Sequence, residues 1–304
     1  MLKVVENKKW WFILSGIIIT LGIVFGIIRG VNWSIDFIGG TAIKIDMNGA
    51  EFKTDDVNPI INKYAVKDSY DVKQVKPGEN NVAVEMDIEA NVNAIKAEDV
   101  TNIVNDLNTK YKKTNIKVIS LNSIGPTIGN ELKNKALLSL GIAIICMLIY
   151  IAFRFEFKYG TAAVLALVHD VLITCSVYSI FHLPVNSNFI AAILTIIGYS
   201  MSDTIVIFDR IRENQNTMRK VNNLTEIADI SISQTVRRSI YTVSTTLITT
   251  AAVYICVPNV RDFALPLIVG IASGCYSSIF IASPIYVLLK NASKKKTAIK
   301  KAEA

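Results

Sequence analysis

The chain is poor in the side chains that build catalytic and metal centres. Its 304 residues include two histidines, His169 and His182, too few and too scattered for a metal site. The four cysteines, Cys146, Cys175, Cys256 and Cys275, all fall inside long apolar runs. None lies in the polar stretch between the first two runs, so no disulfide framework is implied, and the cysteines read as buried small hydrophobes. No G-x-x-x-x-G-K-[ST] loop is present, which leaves the chain without a nucleotide engine of its own. Charged residues make up only 19% of it. Without a nucleophile–base set or a cofactor motif, the sequence implies neither an enzyme nor a bound cofactor.

What the chain has in quantity is apolar sequence, 51% of all residues, gathered into blocks. Six runs, at 10–28, 136–153, 160–181, 189–208, 240–257 and 263–289, are each long enough to cross ~30 Å of hydrocarbon as a helix. The first has too long an apolar core for a signal peptide and no A-x-A site after it, so it reads as a retained span. The net charge of +7 is placed rather than spread. Lys3, Lys8 and Lys9 precede span one; Arg154 and Lys158 follow span two. Arg210, Arg212, Arg219, Lys220, Arg237 and Arg238 lie between spans four and five, and a lysine-rich tail follows span six. The short loops at 182–188 and 258–262 contribute only Arg261. By the positive-inside rule both termini are cytoplasmic and the long segment after span one is exported. The basic residues are therefore topology signals with a weak attraction to anionic lipid, and nucleic acid is not implied.

The expected organisation is a cytoplasmic N-terminus with span one (1–29), an exported module (30–134), a five-span bundle (135–290) and a basic cytoplasmic tail (291–304). In the module, 41–46 alternates as a half-buried strand does. Thr54 or Asp55 caps a short helix to Tyr64. Residues 70–75 and 82–87 read as strands of a hairpin. Val100, Ile103, Val104, Leu107 and Tyr111 keep helical spacing, and 116–121 is a last strand. The order β-α-β-β-α-β is that of a ferredoxin-like α+β unit, here most simply a binding or docking module. Gly22 with Gly26 and Gly270 with Gly274, at four-residue spacing, permit close helix packing.

One residue breaks the apolar pattern. In ILTIIGYSMSDTIVIFDRIREN (193–214), Asp203 stands five residues before the end of span four. A helix places it about 7–8 Å below the interface at ~1.5 Å per residue. A charged carboxylate there costs ~2.5–3.5 kcal/mol on insertion scales, so it is expected to face protein or water and to carry a function. A polar residue satisfied by neighbouring helices for packing alone is the alternative. Asp209, beside Arg210, reads as a solvated flank. Span five opens with Arg237 and Arg238 and carries Thr242, Thr245, Thr246 and Thr249 down one face, a hydroxyl stripe headed by a guanidinium. An arginine can bend inward to a carboxylate one or two turns deep. His169 and Asp170 add two ionisable groups in span three. Hydrocarbon disfavours an ionised carboxyl and a nearby guanidinium favours it, so a small movement of the arginine would switch proton affinity. The expectation is a proton-coupled conformational machine.

These residues also resemble a known family. IDFIGGT (35–41), IGPTIGNEL (124–132), LVHD (167–170), GYSMSDTIVIFDRIREN (198–214) and SQTVRRSIYTVSTTL (233–247) are similar to SecF, the six-span subunit of the SecDF accessory complex of bacterial protein secretion. The resemblance runs in order along essentially the whole chain. It implies an α-helical polytopic membrane protein, an RND-like half of six spans, with an extracytoplasmic ferredoxin-like domain. It implies residence in the bacterial cytoplasmic membrane and use of the proton-motive force to promote late steps of preprotein translocation. The implied partners are SecD, the SecYEG channel and the preprotein in transit, with YajC-like or YidC-like membrane proteins as further candidates. Asp203 matches the membrane aspartate of the family's span-four motif. Arg238 matches the arginine of Q-T-x-x-R-[TS], in the register that Gln234 and Thr235 fix, and Thr242 lies one turn on in the stripe. Ser202 departs from the family, which usually has Asn there. Asp36, Gly39 and Gly40 read as a structural joint between span one and the first strand. The rival readings are an RND-type exporter of small molecules or lipids, and an assembly factor that moves no protons.

Overall fold

The computed structural model describes residues 3–50, 52–66, 69–75, 85–92, 94–112, 115–154, 156–218, 221, 223–257 and 260–302. Residues 4–7 form a turn that leads into helix α1 (Lys8–Arg29), which ends on Gly30 at φ 74°. A four-residue helix, α2 (Ile35–Ile38), then passes through Gly39 at φ 80° and Gly40 at φ 151° into strand β1 (Gly40–Asp46). The module that follows α1 continues as α3 (Thr54–Ile61), β2 (Tyr70–Val75), β3 (Glu85–Asn91), α4 (Ala97–Tyr111) and β4 (Lys117–Ile124). Its sheet has the order β2-β3-β1-β4 with every pair antiparallel, the split β-α-β topology expected.

Alternation builds the module's core. Ile43 and Ile45 point to the helix side of β1 and pair with Ile88 and Met86 of β3, and all four are buried. Against them lie Val57 and Ile61 of α3 and Ile103 and Leu107 of α4. Each such burial contributes ~1.5–3 kcal/mol. Four boundaries differ from expectation. Thr54 opens α3 instead of capping it: the cap position is Lys53, without a side-chain bond, while Asp55 and Asp56 sit in the first turn, where the helix dipole favours them. That helix stops at Ile61, and Asn62 to Ala65 close as turns that carry the Tyr64 hydroxyl to Asp106 of α4. Strand β3 runs on past 87 to Asn91 because Ile88 and Ala90 continue the buried face. Strand β4 reaches Ile124, with a register shift opposite Lys44 and Ile45. The expected start at 82 and the hairpin connection lie outside the described residues.

The membrane half is α5 (Pro126–Arg154), α6 (Phe157–Ile180), α7 (Ser187–Thr217), α8 (Leu224–Cys256), α9 (Arg261–Ser277), a π-helical turn (Ser278–Ala282) and α10 (Ser283–Ala302). With α1, these supply six helical segments long and apolar enough to cross a membrane. Two start far ahead of their apolar runs, α5 at Pro126 and α8 at Leu224. Apolar sequence marks only the lipid-facing length, whereas the backbone turns helical wherever a start signal stands. Pro126 suits a first helical turn, and the Asn223 side chain accepts from the Thr225 N–H. Asn186 caps α7 in the same way through Phe189.

Helix α6 lies among α1, α7 and α9, and small residues set how close they come. A Cβ on Gly22 of α1 would sit 2.2 Å from the Ser176 Cβ of α6. One on Gly270 of α9 would meet Ile196 of α7 at 2.1 Å, and one on Gly274 would meet Ser200 at 2.9 Å. Helix α8 packs along α7 and α9 with Val243 in the shared core, while α5 and the outer face of α8 leave much apolar surface open, including Leu137, Leu138 and Ile142 on α5 and Ile240, Tyr241 and Ile248 on α8.

Candidate functional site

Asp203 is half-buried on α7, on the side that meets α8. Its Oδ1 accepts a 2.5 Å hydrogen bond from the Ser239 hydroxyl of α8. Its Oδ2 is buried and has no hydrogen-bond partner. Arg238, the neighbour of Ser239, is exposed; its guanidinium is near enough to act on the carboxylate electrostatically but makes no ion pair with it. Ser202 is exposed and makes no bond to Asp203. A buried carboxylate normally has both oxygens satisfied. Here one donor serves two oxygens, and a charged arginine stands close by.

The hydroxyl stripe of α8 is spent largely on its own helix. Thr242 donates to the Arg238 carbonyl at 2.8 Å, Thr245 to Thr242 at 2.8 Å and Thr249 to Thr245 at 3.2 Å. Tyr199 of α7 reaches across: its hydroxyl lies 2.8 Å from the Thr246 hydroxyl and donates to the Thr242 carbonyl at 3.1 Å. Ser239 and Tyr199 are thus the two described links between α7 and α8 at membrane depth. Further along, the Arg210 Nε donates to Gln234 at 2.6 Å, and Asn214 donates to Ser231 at 2.8 Å and to Gln234 at 2.9 Å.

Asp170 of α6 has the opposite surroundings. It is 1% exposed. Its Oδ1 accepts from Ser273 at 2.8 Å and lies 3.1 Å from the Nδ1 of His169. Its Oδ2 accepts from Ser200 at 2.6 Å and from Ser277 at 2.7 Å. The other imidazole nitrogen, Nε2, lies 2.8 Å from the Ser15 hydroxyl of α1. The two intramembrane acids therefore differ in kind: one is fully coordinated by three helices, the other is short of partners.

Two further carboxylates tie segments together. Asp36 of α2 accepts from the Ser187 backbone N–H at 2.8 Å and from its hydroxyl at 2.5 Å, which pins the entry to β1 onto the first turn of α7. Gly40 admits no side chain there, since a Cβ would sit 2.3 Å from the Ala90 carbonyl oxygen. Asp229, buried near the start of α8, accepts from the Val5 N–H at 2.9 Å and holds the N-terminal turn.

Sequence reasoning picked Asp203, Arg238 and the His169–Asp170 pair but missed Ser239, Ser200, Ser273, Ser277 and Asp229. A signal existed for two of these: Ser273 and Ser277 stand four apart on an apolar helix, the same one-face argument that applies to the threonines. Among the described residues no group of His, Cys, Asp or Glu has the arrangement of a metal site.

Six lipid-length helices, an antiparallel sheet domain entered through two glycines and a half-satisfied acid between α7 and α8 define the class, a multi-pass membrane protein. Residues 103–292 match the family model for the C-terminal part of the protein export membrane proteins SecD and SecF. The chain is 34% identical to the protein translocase subunit SecF of Rhodothermus marinus, over 94% of this chain and 92% of that protein. It is 36% identical to SecF of Sebaldella termitidis, over 96% and 93%. SecF of Escherichia coli O157:H7 is 31% identical, over 94% and 88%. The crystal structure of SecDF from Thermus thermophilus superposes with a TM-score of 0.83 at 31% identity, covering 94% of this chain and 38% of that one. The chain belongs to the SecF family of protein translocase subunits.

Proposed function

We propose that this chain works as the SecF half of a SecDF complex, joined to SecD, and that it uses the proton-motive force to promote late steps of preprotein passage through SecYEG. It spans 38% of the solved SecDF chain, and in this reading SecD supplies the part of that architecture which this chain does not match. Both termini lie in the cytoplasm and the sheet domain outside the bacterial cytoplasmic membrane, as the placement of basic residues indicates. Asp36, Gly39 and Gly40 act as a joint that passes movement of α1 and α7 to that domain.

The observation that carries this reading is the Asp203 carboxyl, with one donor, one buried oxygen without a partner and an unpaired arginine beside it. Such a group changes its interactions whenever a proton arrives or Arg238 moves. A unit charge moved across the membrane is worth ~2.3 kcal/mol per 100 mV, enough to bias two arrangements of α7 and α8. Arg238 supplies the mobile charge, Thr242 holds the carbonyl of that residue, and Ser202 lines the open side.

The exported domain favours polypeptide over a small molecule. Its cavity of about 390 Å³, between Ile95 and Lys96 at the start of α4 and Leu121 and Ser123 of β4, is a groove of mixed polarity beside the open β4 edge. Extended chains bind such edges through their main chain. The test is proton flux in vesicles containing this chain with SecD and SecYEG: the wild type carries protons during translocation and Asp203→Asn does not. Unchanged flux in Asp203→Asn would leave Asp203 a static buried acid.

A further inference from the structure

The His169–Asp170 cluster plays no part in the scheme above, yet every side-chain nitrogen and oxygen of the pair is hydrogen-bonded. Its hydrogen bonds also have a fixed direction. The Trp11 carbonyl of α1 can only accept, and the Tyr276 hydroxyl of α9 donates to it at 2.8 Å. The Tyr276 oxygen then accepts from the Ser15 hydroxyl at 3.3 Å. With its proton used, Ser15 can only accept at its second contact, so the Nε2 of His169, 2.8 Å away, must carry hydrogen. On the other side, Asp170 already accepts from Ser200, Ser273 and Ser277. Three hydroxyl donors stabilise the ionised carboxylate, which has no hydrogen of its own to give. The remaining contact, Nδ1 to Oδ1, is then also donated by the ring.

We propose that His169 and Asp170 form a fixed imidazolium–carboxylate pair, a positioning group outside the path of moving protons, which clasps α1, α6, α7 and α9 into one block. Buried ion pairs are tolerated where further hydrogen bonds satisfy both partners, and here every donor and acceptor of the pair is used. The groups that face the pair are Ser15 from α1, Ser200 from α7, and Ser273, Tyr276 and Ser277 from α9. Of these only Tyr276 can titrate. The same four helices meet through Gly22, Gly270 and Gly274, so close packing and the polar clasp coincide. Helix α8 contributes no side chain to the cluster; it packs on α7 and α9 and is hydrogen-bonded to α7 at membrane depth through Ser239 and Tyr199. In this proposal the clasped block is the stator, and α8, which shares no hydrogen bond with the clasp, is the part that shifts with Arg238. That last step rests on the proposed proton coupling; the charge of the pair does not.

The chain has two histidines, which makes the pair readable by nitrogen NMR of ¹⁵N-histidine-labelled, full-length protein with its partner in bilayer discs. His182 is exposed at φ 51°, a conformation asparagine tolerates, so His182→Asn leaves a single histidine to observe. The expected spectrum at neutral pH shows both ring nitrogens of His169 bearing hydrogen; one bare nitrogen overturns the pair. Asp170→Asn is expected to strip Nδ1 of its hydrogen. If that variant fails to insert, Ser15→Ala serves: Nε2 should keep its hydrogen without the serine, and a bare Nε2 refutes the direction of the chain. Asp203→Asn must leave both signals in place. A change at His169 in that variant would put the pair in the proton path and end the positioning role. None of these readings needs transport to occur, so loss of the clasp and loss of the proposed coupling are told apart.

Discussion

At the scale of single residues, the link between Asp203 and Ser239 is the contact on which the proposed coupling depends. A hydrogen bond to a charged group contributes ~1.5–3 kcal/mol, and Ser239 is the one donor Asp203 has among the described residues. Ser239→Ala would leave both carboxylate oxygens without partners, so proton flux in vesicles should fall by about tenfold or more at unchanged protein abundance. Ser239→Thr, which keeps the hydroxyl, should restore most of it. An alanine variant with full flux would show that the bond is incidental. The sequence made Asp203 visible because a carboxylate in an apolar run has few innocent explanations. It left Ser239 invisible because serine in a helix satisfies itself on its own backbone, as Thr242, Thr245 and Thr249 do. Which hydroxyl turns to a neighbour is settled by how two helices pack, and no spacing within one of them reports that.

At the scale of elements, glycine positions separate contact from mere occurrence. Gly16 and Gly22 stand on the same helix, but a Cβ on Gly16 meets nothing within 4 Å while one on Gly22 would reach the Ser176 backbone at 2.4 Å. Gly22→Ala must push α1 off α6, an overpacking cost of ~1–3 kcal/mol, whereas Gly16→Ala should be neutral or slightly stabilising. The midpoint of heat-induced loss of the monodisperse peak in detergent reads the difference. In the sheet domain α3 and α4 are joined by Lys63, whose Nζ is 2.9 Å from the Asp106 Oδ2. That hydrogen bond holds the Asp106 carboxyl below the ordinary carboxylate range and the Lys63 amine above its own. The depressed acid contributes stability above its unfolded value, near pH 4, and loses it as pH falls through the lower folded value. The raised amine contributes below its unfolded value, near pH 10, and loses it as pH rises through the higher folded one. Hydrogen exchange in α3 of the full chain should therefore quicken at both extremes, and Asp106→Asn should make it fast and flat throughout. The strands and helices of this domain were legible because period-2 and helical spacing are backbone properties. Their ends were not: Lys53 in place of Thr54 at the cap, and Asn91 as the end of β3, depend on partners elsewhere in the chain.

At the scale of the molecule, α8 is the helix whose surface needs explaining. Exposed leucines on α5 suit lipid, but α8 presents Arg238 outward beside the Asp203 bond, and Tyr241, Thr242, Thr245 and Thr249 outward along the turns that follow. The threonines have satisfied their hydroxyls on their own backbone and tolerate hydrocarbon; a guanidinium at that level does not. That face should accordingly be covered by protein or water in the working assembly, and the proposed SecD half is the protein available to cover it. With Thr245→Cys and a photo-activatable thiol reagent, cross-links should form to SecD in native membranes, while Leu138→Cys on α5 should label lipid. Purification from the same membranes should recover SecD, with SecYEG at lower yield. A stable oligomer of this chain alone, with Thr245→Cys linked to a second copy, would mean that α8 closes on itself. The carboxylate at Asp203 would then serve a symmetric assembly and not half of a two-part pump.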